Sequence, residues 1–74
     1  KAQMEEFMFL GLRLTAGVSR TDFESCFGVS IESVYRPVLE MLRREKLLDM
    51  NAGRIFLTDK GMDLANFCMA QFMQ

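Results

Sequence analysis

A mainly helical fold with one small β-ribbon is what this 74-residue sequence predicts, on three observations. Leu47 to Met50 and Arg54 to Leu57 are short apolar-rich runs separated by Asn51-Ala52-Gly53. The Asn and Gly there tolerate the positive φ that a tight three-residue hairpin needs. Three hydroxyl residues each follow an apolar residue and open a helical pattern: Val18-Ser19, Val29-Ser30 and Leu57-Thr58. A short turn containing Gly28 joins two of those patterns into a helix-turn-helix. First helix, helix-turn-helix, two-stranded wing and C-terminal helix is the order of a winged helix-turn-helix, and residues 1–74 make one such domain.

The first helix is read over Ala2 to Leu14, because Met4, Phe7, Met8 and Leu12 recur at helical spacing while Glu6 and Arg13 share the opposite side. Its apolar stripe is too wide for an ordinary surface helix. Phe9 projects close to the Glu6/Arg13 side and Leu10 to its other flank. Either another helix of the domain covers these two side chains, or they pack on a second domain. Thr15-Ala16-Gly17 ends the helix, with Gly17 suited to a left-handed C′ position.

Ser19 caps the second helix, with Asp22 as its capping-box partner and Val18 and Phe23 as a hydrophobic staple. Val29 with Val34, and Leu57 with Met62, repeat the staple at the next two starts. Phe23, Cys26 and Phe27 form the inner face of this short helix, and Gly28 closes it. The third helix runs from Ile31 to about Glu45, with Ile31, Val34, Tyr35, Val38, Met41 and Leu42 inward. Pro37 removes one backbone hydrogen bond from it, so a kink is expected near Ser33 to Arg36. The last helix, Asp59 to about Met73, carries Leu64, Ala65, Phe67, Cys68, Met69, Phe72 and Met73 nearly all the way round, with Asn66 facing water.

Composition narrows the function. Nine basic and ten acidic residues give a net charge of −1, against the basic face a nucleic-acid binder carries. The outer face of the third helix presents Glu32, Ser33, Arg36, Glu40, Arg43 and Arg44, and Glu32/Arg36 and Glu40/Arg44 have the spacing of intrahelical ion pairs. Arg54 is the wing's cation, a poor phosphate clamp beside Asp49, and no nucleic-acid partner is expected. No apolar run is long enough to span a bilayer, and KAQMEEFMF lacks the sections of a signal peptide, so a soluble, cytoplasmic domain is expected. Cys26 and Cys68 stand far apart in apolar helical patterns and there is no His. Two buried thiols are expected, without a metal site or a catalytic centre. The start on Lys1 rather than Met reads as the C-terminal piece of something larger.

MEEFMFLGLRLTAGVS (Met4 to Ser19), DFESCFG (Asp22 to Gly28), Val34-Tyr35 and LTDKG (Leu57 to Gly61) followed by Asn66 together resemble the C-terminal domain of the oxygen-independent coproporphyrinogen III oxidase family, closest to its haem-chaperone branch. The resemblance covers nearly the whole chain. LTDKG alone closes the wing in many winged-helix proteins, but EEFMFLGLR followed by GVS and FxxxFG is distinctive in combination. It implies a parent protein with an N-terminal radical S-adenosylmethionine barrel, holding a 4Fe-4S cluster on a Cys-x-x-x-Cys-x-x-Cys motif. In the oxidases that cluster starts the oxidative decarboxylation of porphyrinogen propionates, and the chaperone branch is associated with haem. The cluster ligands would all lie upstream of this chain, which keeps no cofactor of its own. This domain would pack beside the barrel, its partner, and help to shape or cover the substrate opening.

An interdomain contact through Phe9 and Leu10, with Glu6 and Arg13 at its rim, follows from the over-wide stripe of the first helix. A guanidinium also suits carboxylates, which gives Arg13 a second reading as a bridge to substrate. Two rival readings stand beside the accessory domain. One is a DNA-binding module of a regulator. The other is a protein-interaction winged helix, for which a crystal dimer through exposed Met and Phe would speak.

Overall fold

The computed structural model describes residues 2–73; the ends of the 1–74 domain, Lys1 and Gln74, lie outside the described residues. Chain order is α1 (Ala2–Leu12), β1 (Val18–Ser19), α2 (Arg20–Phe27), α3 (Ile31–Arg44), β2 (Leu48–Asn51), β3 (Arg54–Leu57), α4 (Asp59–Asp63) and α5 (Ala65–Ala70). This is the expected winged helix-turn-helix order, mostly helical with a small antiparallel sheet. Two elements differ from expectation: the sheet has a third strand, and the last helix is two short ones.

All three hydroxyl caps form. Ser19 Oγ accepts from the Asp22 N–H at 3.2 Å and Ser30 Oγ from the Ser33 N–H at 3.2 Å. Thr58 Oγ1 accepts from the Gly61 N–H at 3.1 Å. Each such bond satisfies one of the orphan donors of a helix start and stabilises it by about 1 kcal/mol. The return half of the Ser19 capping box, an Asp22 carboxylate on the Ser19 N–H, is not made among the described residues. Gly28 closes α2 at φ 74°, as its missing Cβ allows.

The sheet order is β1-β3-β2, with Val18 opposite Ile55, Ser19 opposite Arg54 and Asn51 opposite Arg54 across the ribbon. The hairpin turn is therefore two residues long rather than three. Ala52 and Gly53 take the positive φ values, 53° and 77°, while Asn51 stays in the ladder. This is the pattern of a type I′ turn, whose twist matches that of the strands. Strand β1 was not visible as a strand, since two residues carry no alternation. Helix α1 ends at Leu12, two residues before the expected Leu14, so Gly17 is not its C′ residue. At φ 76°, Gly17 instead leads the chain into β1 against β3, where a Cβ would overlap the Ile55 carbonyl.

Helix α3 is interrupted at Tyr35, with φ −120° and ψ 20°, inside the stretch expected to kink ahead of Pro37. The inner face keeps the i, i+4, i+8, i+11 spacing of one helical stripe across the kink. Ile31, Tyr35, Leu39 and Leu42 are buried, whereas Val34 turns outward and its staple partner Val29 is exposed too. Expectation therefore misplaced Val34 and missed Leu39.

The core joins Met8 and Leu12 of α1, Phe23 of α2, the α3 residues just named, Ile55 of the sheet, and Cys68 and Phe72 near the C-terminus. A run of aromatic contacts crosses it. Phe7 meets Phe23 and Phe27 edge-on at 5.5 and 5.7 Å, Phe23 meets Tyr35 at 6.4 Å, and Tyr35 meets Phe72 at 5.1 Å. Such edge-to-face pairs contribute roughly 0.5–1.5 kcal/mol each beyond their burial, and here they tie α1, α2, α3 and the C-terminal segment together. Cys26, expected among the buried residues of α2, is exposed; only Cys68 is a buried thiol.

Candidate interdomain surface

The four residues proposed for an interdomain contact all lie at α1, but the fold separates them. Phe9 is half-buried and packs against the core; Leu10 is 60% exposed; Glu6 and Arg13 are exposed, Arg13 just past the helix end. At about 100° per residue, Phe9 lies roughly 60–100° from the direction of Met8 and Leu12, while Leu10 lies about 160° from both. Phe9 can therefore reach the core's flank and Leu10 cannot. Of the two explanations for the wide stripe, enclosure by the domain's own helices accounts for Phe9 only. Leu14, 61% exposed just beyond the helix, adds to the uncovered apolar surface.

A second uncovered surface was missed by sequence reasoning. Met41 and Glu45 at the end of α3, Leu47, Lys60 of α4, and Leu64 and Phe67 line an open groove of about 500 Å³. Leu64 and Phe67 are 46% and 48% exposed, and Lys60 Nζ reaches the Glu45 carbonyl at 3.5 Å on the rim. The floor is rigid. Thr58 Oγ1 donates to the Lys46 carbonyl at 2.7 Å, and the Thr58 N–H donates to the Leu47 carbonyl at 3.0 Å. Gly61 is buried so tightly there that a Cβ would overlap the Leu47 carbonyl.

The face that would read a DNA groove, between α3 and β2, is lined by Glu32, Arg36, Leu39, Glu40, Arg43 and Met50. Its charges are arranged differently from the sequence pattern. Glu32 pairs with Arg20 of α2 rather than with Arg36, Arg43 approaches Asp49 at 4.0 Å, and no Glu40–Arg44 pair forms among the described residues. The wing cation Arg54 points back into the fold. Its Nε donates to the Ala16 carbonyl at 2.8 Å and its guanidinium reaches the Gly17 carbonyl at 3.4 Å, fastening the loop before β1. No local pattern could have signalled that bond, which links residues far apart in sequence.

Two groups in the core have shifted acidities. Burial raises the Tyr35 phenol above its ordinary value, with the charge of Glu5 adding to the effect, and its hydroxyl has no hydrogen-bond partner among the described residues. Burial likewise raises the Cys68 thiol, opposed by a backbone hydrogen bond. Cys68 Sγ donates to the Gly61 carbonyl at 3.8 Å.

These features match known proteins. The family model for the HemN C-terminal domain matches residues 1–64. The chain belongs to the HemN C-terminal domain family. It is 42% identical over 73 residues to the heme chaperone HemW of Lactococcus lactis and 38% identical over 71 residues to that of Bacillus subtilis. Those alignments cover 99% and 96% of this chain but 19% of each relative, so this HemN C-terminal domain spans about a fifth of their length. No solved structure matches it.

The two cysteines of this HemN C-terminal domain do not make a cluster site. A cluster site needs several thiolates converging on one point, and the two cysteines here sit one outside and one inside the core, the inner one hydrogen-bonded to a backbone carbonyl. Of the side chains able to ligate haem without His, Tyr35 and Cys68 are closed off by packing, whereas Cys26 and Met73 are exposed. No group of three or more His, Cys, Asp or Glu side chains able to hold a metal forms among the described residues. No described helix is long and apolar enough to cross a membrane.

Proposed function

We propose that this chain is the non-catalytic C-terminal accessory domain of a HemW-like radical S-adenosylmethionine protein of haem metabolism, and that it packs on that protein's N-terminal barrel. The observation that carries the reading is its near-complete alignment with one fifth of two heme chaperones. The 4Fe-4S cluster, S-adenosylmethionine and haem belong on this reading to the remainder of a cytoplasmic parent. The contact on the barrel includes Leu10, with Glu6 and Arg13 at its rim and Phe9 anchoring the helix from beneath. Leu10 points away from the domain's own core, and burying the rest of its side chain adds up to about 1.5–3 kcal/mol to the contact.

The parent reading frame tests this directly. A Cys-x-x-x-Cys-x-x-Cys motif within a barrel-sized region of alternating strands and helices upstream of Lys1 is the expected result. A ligand-sensing domain in that position overturns the reading and redirects it to duplex DNA, to be titrated across a salt series. In a parent with the motif, Leu10→Asp is expected to speed proteolytic release of this domain without unfolding it.

A further inference from the structure

The groove between α3 and α5 is bordered by a break in the last helix. In one continuous helix Leu64 would follow Gly61 by three residues and precede Cys68 by four, placing it on the buried stripe with both. The backbone instead breaks at Leu64, with φ −114° and ψ 35°, and α5 starts there without a side-chain cap. The break moves Leu64 out of the stripe and sets it beside Phe67, three residues on, as one apolar wall facing Met41 and Leu47. The concavity is mostly apolar, with Lys60 and Glu45 as the charged residues among its described lining.

We infer that this groove seats an apolar segment from the N-terminal four fifths of the same polypeptide, entering with one or two large aliphatic or aromatic side chains. This rests on the reading of the chain as the C-terminal part of a longer HemW-like protein. The argument for an occupant in the same chain is the length lying outside this domain. Relatives of this size carry about four times as much chain again, tethered to it. A tethered segment acts at an effective concentration of about 1 mM, so a free partner or second copy at micromolar levels would need roughly a thousandfold better affinity to displace it. The groove is a surface separate from Leu10 of α1, and its occupancy makes the domain held at two places rather than swinging on one.

Hydroxyl-radical footprinting of the full-length parent against the 74-residue chain tests this, because it reads side-chain exposure at Leu64 and Phe67. Their modification is expected to slow by about fivefold or more in the parent, independently of protein concentration, and Phe67→Asp in the parent should abolish protection at Leu64. Phe67 is half exposed, so the same substitution in the 74-residue chain should leave its thermal midpoint nearly unchanged, which separates undocking from misfolding. Unchanged rates at Leu64 and Phe67 with slowing at Leu10 would overturn this inference and leave the α1 contact standing. No slowing at either surface would overturn both. Slowing that scales with protein concentration would assign the groove to a second copy and overturn the inference as well.

Discussion

Two helices of this domain are interrupted by a single residue in nearly the same conformation, Tyr35 within α3 and Leu64 between α4 and α5, yet the two breaks have different origins. Tyr35 lies two residues before Pro37, whose ring and missing N–H forbid an ideal helix wherever the chain is placed. Leu64 has no such neighbour. Its break follows from the segment before it, where Thr58 is bonded to Lys46 and Leu47 and where Gly61 is pressed against the Leu47 carbonyl. The first break turns its residue into the core, 2% exposed, and the second turns its residue out. A kink written into covalent chemistry is used for packing; a kink imposed by tertiary contact creates surface.

The largest effect on this comparison should come from Gly61→Ala. Backbone, not a flexible side chain, occupies the space its Cβ needs, so α4 must move off Leu47 and the cause of the second break goes with it. A loss of about 3 kcal/mol or more is expected in chemical denaturation, a large share of what a domain of this size has. Thr58→Ala should follow, at about 1–2 kcal/mol, since it deletes both the cap on Gly61 and the bond to the Lys46 carbonyl. Ser19→Ala, which loses a cap alone, should cost about 1 kcal/mol or less on the same measurement.

At the first break the sign reverses. Tyr35→Phe removes a buried hydroxyl that has no partner among the described residues, so a gain of about 1 kcal/mol is expected, with the kink and the ring contacts to Phe23 and Phe72 kept. The gain should grow at high pH. Burial holds the folded phenol protonated above its ordinary value of 10.0, and the Cys68 thiol above 9.0, while the unfolded chain releases both protons. The stability these two groups hold is therefore complete below the unfolded values and is lost as pH rises past them. A stability profile from neutral to strongly alkaline pH should fall first as unfolded Cys68 ionises and then more steeply as unfolded Tyr35 does, and Tyr35→Phe should flatten only the second part. The smallest effect is expected at the second break itself. Leu64→Ser in the 74-residue chain should change stability by no more than about 0.5 kcal/mol, because the side chain is already half in water. A large loss there would mean that Leu64 holds the break in place.

How much was legible follows the range of the interactions. Ser19, Ser30 and Thr58 act on N–H groups three residues away, so the starts they cap could be placed before any fold was known. Gly28 and Pro37 act on their own backbone and were equally readable. The apolar stripe of α1 did not tell Phe9 from Leu10: the first packs against the core and the second is exposed, because a flank position is decided by what lies across from it. Cys26 and Val34 failed for the same reason. Each fits an apolar helical pattern but sits at the edge of its stripe, about 60° from Phe23 and Ile31 respectively, and is left exposed there.

By itself, then, the sequence determined the order of elements, three helix starts, the kink in α3 and the family resemblance, all of which rest on residues near one another in the chain. Only the tertiary structure decided that Val18 and Ser19 join the sheet, that Arg54 fastens the loop at Ala16 and Gly17 rather than facing a phosphate, and that the last helix breaks to open a groove. Each of those depends on backbone groups from distant segments competing for the same space or the same hydrogen bond. A one-dimensional pattern does not contain that competition.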